Sequence, residues 1–187
     1  MKQGGMNKRK AGEDFYFLQK FIQLGNFTVL NSTSVIPSPR QSERVPFGTG
    51  RAMKEMLDGE RKIEYSYSPQ VFELLKLSIH DAISWYSNPM EKENLICTFY
   101  GYDHVFRKVN ELKLNSNNQE GFIKRFFHWF NAFQCLKFVH YLRDNHVENC
   151  HLREAVPSLL KMLEIAPDSN QIKSLLTQLR KLDLEQV

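Results

Sequence analysis

Two adjacent carboxylates, Glu13 and Asp14, stand where a polar, glycine-bearing loop gives way to a segment of helical spacing. The apolar residues that follow, Phe17, Leu18, Phe21, Ile22 and Leu24, recur at the intervals of one helix face. Carboxylates at a helix start suit the positive end of the helix dipole. Such a group can act as a base if a hydroxyl comes within hydrogen-bond reach. An acidic residue opening a helix is also a common cap, so position alone leaves both roles open. Upstream, Gly4 and Gly5 carry no Cβ, and the backbone there can approach something bulky.

A second cluster lies in the long loop 37–51. Pro37, Pro39 and Pro46 stiffen it, and Arg40, Arg44 and Arg51 populate it. Guanidinium forks take phosphate or carboxylate in two-pronged fashion. Gly48-Thr49-Gly50 can turn backbone N–H groups toward an anion, although it lacks the Gly-Lys-Ser/Thr ending of a P-loop. The alternative is a solvated surface crossover; loops of this length are more often functional than idle.

Gly4-Gly5-Met6-Asn7 followed by Gly12-Glu13-Asp14 and an apolar helix resembles the acceptor-side motif of the family 2 glycosyltransferases. That pattern runs Gly-Gly-aromatic, a short loop, then Glu-Asp-x-Asp-Leu-x-x-Arg. Gly4, Gly5, Glu13 and Asp14 match it, while Met6 replaces the aromatic residue, Tyr16 the second Asp and Lys20 the Arg. The stretch from Ser38 to Gly50 also looks like a segment of certain bacterial members. The resemblance, covering roughly residues 1–50, implies an inverting enzyme of the A-type α/β fold that uses nucleotide-sugars. It makes Asp14 the candidate catalytic base with Glu13 beside it, and gives Gly4, Gly5, Lys20, Arg40, Arg44, Gly48, Thr49 and Gly50 to substrate. No Asp-x-Asp occurs anywhere in the chain. The resemblance therefore implies the C-terminal part of such an enzyme, inactive alone, with a donor-binding half elsewhere. The divalent cation, Mg or Mn, would belong to the complete enzyme and no cofactor to this chain. The partner it implies is a sugar or lipid-linked acceptor.

Other chemistries are poorly supplied. Cys97, Cys135 and Cys150 are odd in number and lack Cys-x-x-Cys spacing, so a disulfide framework or zinc site is not expected, and a reducing cytoplasm suits them. His146 and His151 lie near Cys150 without paired ligand spacing. No Gly-x-Ser-x-Gly elbow is present, and His80-Asp81 and Asp103-His104 are adjacent pairs that face different ways on a helix. Net charge is +4, and residues 1–60 hold nine Lys/Arg against six Asp/Glu. That excess suits a phosphate-bearing ligand or an anionic membrane surface. Residues 61–187, with sixteen against fifteen, lack the basic stripe that nucleic acid needs. Two rival readings stay open: a non-catalytic helical interaction module, and peripheral membrane contact through Lys8, Arg9 and Lys10. A homo-oligomer is compatible with each.

The positioning elements follow from pattern. The spacing predicts a helix over 13–24 capped by Gly25, then short strands at 27–30 and 34–36. Helices are expected at 51–57 and from Ser68-Pro69 to 86, then over 91–113 with a soft point at Gly101. After the turn at 115–118, one long helix over 119–143 is apolar on most sides and should be central to a core. Helices near 153–164 and 168–182 close the chain, the last starting at Pro167-Asp168. The fold class is thus mainly α with a short β hairpin: an acceptor-side piece of an α/β glycosyltransferase fold over 1–60, followed by an all-α helical domain over 61–187.

Overall fold

Nine helices and one two-stranded antiparallel pair make up the described residues of the computed structural model. Those residues are 5–6, 12–22, 24–25, 28, 30, 32–33, 35–36, 38, 49–59 and 64–185. The mainly α class with a minimal antiparallel β element is as the sequence indicates. Contacts gather the chain into two units: Tyr67–Asn149, and the residues up to Ser66 together with those from Cys150 onward.

The unit Tyr67–Asn149 holds α3 (Gln70–Ser84), α4 (Leu95–Tyr100), α5 (Tyr102–Leu114), α6 (Gln119–Trp129) and α7 (Ala132–Asn145). Their shared interior is built on Val71, Trp85, Ile96, Val105, Phe122, Phe126, Phe130, Phe138 and Leu142. The aromatic rings pack edge-to-face or offset, as their quadrupoles favour. Phe130 meets Phe138 at 5.8 Å between centroids, and Phe138 meets Phe99 at 5.4 Å.

Caps set the boundaries here. The soft point at Gly101 is a full break between α4 and α5: its φ of +86° is a conformation that side-chain-bearing residues rarely adopt. The single helix expected over 119–143 is two helices. Asn131 accepts from the N–H groups of Phe133 (3.0 Å) and Gln134 (3.2 Å), starting α7 where α6 has ended at Trp129. An Asn side chain offers the backbone an alternative to the helix ladder, and here it wins. Helix α3 is preceded by Pro69 at the cap position, not by Ser68, whose carbonyl accepts from Val71.

Asn94 shows how much one cap can hold. Its Oδ1 accepts from the Ile96 N–H at 2.9 Å, while its Nδ2 donates to the Ser78 carbonyl of α3 at 3.1 Å. Asn94 is buried, so neither bond can be replaced by bulk water. Asn94→Ala should cost about 2 kcal/mol, from the lost cap and the lost tie to the Ser78 carbonyl, which keeps only its helical bond within α3. Urea unfolding of the intact chain measures it, and a loss below about 0.5 kcal/mol would show the bond pair to be incidental.

The free thiol of Cys97 lies in the same interior. Burial, with Glu93 adding to it, pushes its pKa up from 9.0 to about 11. The neutral thiol is the form the fold prefers. Stability from this group is therefore complete below pH 9 and falls as pH rises toward 11. A thiol-specific reagent at pH 8 should label Cys97 only after unfolding, because the thiolate is the reactive species. Rapid labelling of Cys97 itself in the native chain, located by peptide mapping apart from the half-buried Cys135 and Cys150, would contradict this.

The other unit contains α1 (Glu13–Ile22), α2 (Thr49–Leu57), α8 (Leu152–Met162) and α9 (Ile172–Glu185). Strand β1 (Tyr65–Ser66) pairs with β2 (Cys150–His151), Tyr65 opposite His151 and Ser66 opposite Cys150. This pair is not the hairpin expected at 27–36. There Thr28, Leu30, Val35 and Ile36 form no strand, and Val35 and Ile36 are 92% and 89% exposed. Phe27, Val29 and Ser34 lie outside the described residues. Local β-propensity without a buried face does not hold a strand. Gly25 does end α1 as expected, with φ +63° and its N–H on the Ile22 carbonyl at 3.4 Å. Helix α9 begins later than expected, because Asp168 serves a different purpose. Gln178 accepts from the Asp168 N–H at 3.1 Å and donates to the Ala166 carbonyl at 2.7 Å, clipping that turn onto α9.

Candidate functional site

Helix α1 carries the two carboxylates in its first turn. Gly12, at φ +70°, turns the chain into the helix, and its carbonyl accepts from the Tyr16 N–H at 3.0 Å. Glu13 is half-buried and Asp14 exposed. Asp14 Oδ1 accepts from the neighbouring Phe15 N–H at 2.8 Å. Its second oxygen has no hydrogen-bond or ion-pair partner among the described residues, which leaves one lone-pair face for an incoming hydroxyl.

At the other end of α1, the Lys20 ammonium donates to the Gly5 carbonyl at 2.8 Å. Three of the residues singled out by spacing therefore belong to one local assembly: Gly5 is tied to the last turn of the helix whose first turn bears Asp14. Lys20 lies six positions beyond Asp14, about 9 Å along the axis. Thr49 and Gly50 open α2, so the stretch expected as an anion-binding loop is, at these two positions, the start of a helix. Gly4, Arg40, Arg44 and Gly48 lie outside the described residues.

The packing of α1 is unusual. Phe17 and Phe21 meet at 4.8 Å with their rings tilted by 53°, yet no residue of the helix is buried, and Leu18 and Ile22 are 58% and 48% exposed. A ten-residue helix is marginal in water unless something covers its apolar stripe.

Two features had no clear sequence signal. The first is Glu64 with His151, 87 positions apart, joined by the β1–β2 pair. His151 Nδ1 accepts from the Arg153 N–H at 3.1 Å, so its Nε2 carries the proton and donates to Glu64 Oε2 at 3.2 Å. Tyr65 closes edge-on against the imidazole at 5.6 Å. Both nitrogens are thus engaged instead of offering a base: the His–Glu pair fastens the residue before β1 to β2, and the bond from Arg153 caps the start of α8. The second is an open groove of about 820 Å³ between α5 and α6, lined by Lys108, Leu112, Gly121, Lys124, Arg125 and Trp129 among others. Neither was accessible from spacing, since each unites residues from separate elements.

The histidines and cysteines that neighbour one another in sequence are dispersed. His140 stacks on Tyr67 at 6.1 Å, and His146 meets Tyr141 at 5.4 Å. Among the described residues, no three of His, Cys, Asp and Glu gather as a metal-ligand set. No described helix is long and apolar enough to cross a membrane. Neither models of known protein families, nor curated proteins, nor solved structures give a match to this chain.

Proposed function

We propose that this chain forms the acceptor side of an inverting, nucleotide-sugar-dependent glycosyltransferase, with Asp14 as the base. The observation that carries it is the bond between Lys20 and Gly5. Lys20 stands where the motif has its arginine, and it fastens Gly5 to the helix that bears Asp14. The exposed Leu18 and Ile22 of α1 are a further support, because a donor-binding half would supply a surface for them.

In the reaction, an acceptor hydroxyl donates its proton to the free oxygen of Asp14. The resulting oxygen nucleophile attacks the anomeric carbon of the donor sugar from the face opposite the diphosphate. The bond to the diphosphate breaks, and the configuration inverts. Glu13, half-buried beside Asp14, adds negative charge to the same turn. The Mg or Mn ion that the resemblance implies has no ligand set among the described residues, so no step is assigned to it here.

The test is sugar transfer by the enzyme that carries this chain with its donor-binding half. Across a panel of nucleotide-sugars, one donor should give product of inverted configuration, and Asp14→Asn should abolish most of the turnover. Unchanged turnover in that variant would overturn the assignment. The rival reading, a helical interaction module without chemistry, is favoured by the self-sufficient core of Tyr67–Asn149. It expects binding and no transfer at all. The basic run Lys8, Arg9 and Lys10, on which membrane contact would depend, lies outside the described residues.

A further inference from the structure

The groove between α5 and α6 has the composition of a small-ligand site. Its volume of about 820 Å³ falls within the range of pockets that enclose small molecules. Gly121, Arg125 and Trp129 follow one another at four-residue intervals along a single face of α6. Gly121 keeps the helix start close: a Cβ there would come within 3.3 Å of the capping Asn118 Oδ1. Trp129 forms a ring surface whose orientation is already fixed, by Tyr100 at 5.2 Å and Phe126 at 5.8 Å. Tyr100 is itself anchored, its hydroxyl donating to Gln134 Oε1 at 2.9 Å.

The charge is lopsided. Lys108, Lys124 and Arg125 line the groove against a single carboxylate, Glu111. Lys108 and Lys124 are held by Glu111 and Glu120 at 2.7 and 2.8 Å, in exposed pairs one turn apart. Such pairs are worth a few tenths of a kcal/mol, so a doubly charged anion displaces them easily. Arg125 has no carboxylate or hydrogen-bond partner among the described residues. An unpaired guanidinium one helical turn from a fixed indole matches a phosphate one bond or two from a ring.

We infer that this groove binds a soluble phosphate ester of a ring compound, with the phosphate on Arg125, supported by Lys108 and Lys124, and the ring on Trp129. The inference is independent of the sugar-transfer proposal, since it uses only residues of the unit Tyr67–Asn149.

The test is a titration of the full chain with phenyl phosphate, inorganic phosphate and phenol, read by calorimetry and by Trp129 fluorescence. Trp85, the other tryptophan, is buried in the core and should report little. Phenyl phosphate should bind tighter than either part. Arg125→Ala should weaken it by about 10- to 100-fold, the value of one charge-assisted hydrogen bond. Arg125 is exposed, so this variant should fold as the parent does. Lys137→Ala, altering an exposed cation of α7 that lies over Phe133, should change nothing. Phenyl phosphate binding no tighter than inorganic phosphate would overturn the inference. So would equal affinities for the parent and Arg125→Ala, or no saturable binding at all.

Discussion

Replacing Phe126 by alanine should destabilise the unit Tyr67–Asn149 by about 3–5 kcal/mol, the cost of deleting a fully buried phenyl ring. Phe126 is 0% exposed and sits among four other rings: Phe122 at 6.3 Å, Phe127 at 5.5 Å, Trp129 at 5.8 Å and Phe130 at 5.7 Å. These rings come from one helix and its cap residue, so they cannot slide independently to refill the space. The lost transfer energy and the residual cavity therefore add. Domains of this size have about 5–15 kcal/mol in hand, so the variant should unfold at a much lower urea concentration. The neighbouring Phe127 supplies the control. It is 41% exposed, and Phe127→Ala should cost about 1 kcal/mol or less. Phe126→Leu, closer in volume, should fall between the two. Equal losses at 126 and 127 would mean that α6 does not present the face described here.

This contrast also shows what sequence could and could not reveal. An all-round apolar run over 119–143 signalled a central element, and the core does gather on it. The run could not reveal that the element is two helices. Asn131 reads as one polar interruption among several, and only its capping geometry makes it a start. Gly101 was legible because glycine is the residue that a positive φ demands. The strands at 27–36 were misplaced because alternation measures local preference, whereas Tyr65 and His151 pair across 86 positions. In the candidate site, Gly5 and Lys20 were named separately, by motif, and their mutual bond was not foreseen. A lysine in place of the motif's arginine loses the fork but keeps a point charge long enough to reach a carbonyl. The groove bearing Arg125 left no sequence signal, because three cations on two helices become a cluster only once α5 and α6 pack.

On the proposed sugar-transfer assignment, Asp14→Asn in an enzyme joining this chain to a donor-binding half should lower kcat by about 100- to 10,000-fold, the range for losing a general base. That corresponds to about 3–5 kcal/mol of barrier. The fold should survive the change. Asp14 is exposed, and its one hydrogen bond, from the Phe15 N–H, can pass to the Asn carbonyl oxygen. Loss of the carboxylate's interaction with the helix dipole costs only about 0.3–1 kcal/mol. The acceptor KM should move little, since an amide oxygen still receives the hydroxyl's hydrogen bond while being unable to take its proton. Asp14→Ala should lower kcat as far and raise KM as well. Glu13→Gln separates the two carboxylates: side chains at adjacent helix positions point about 100° apart, so one hydroxyl cannot use both as base. A modest effect at Glu13 beside a collapse at Asp14 fixes the base. The reverse result would transfer that role to Glu13, and a KM-only effect at Asp14 would reduce it to an acceptor contact, with no carboxylate of this turn moving the proton.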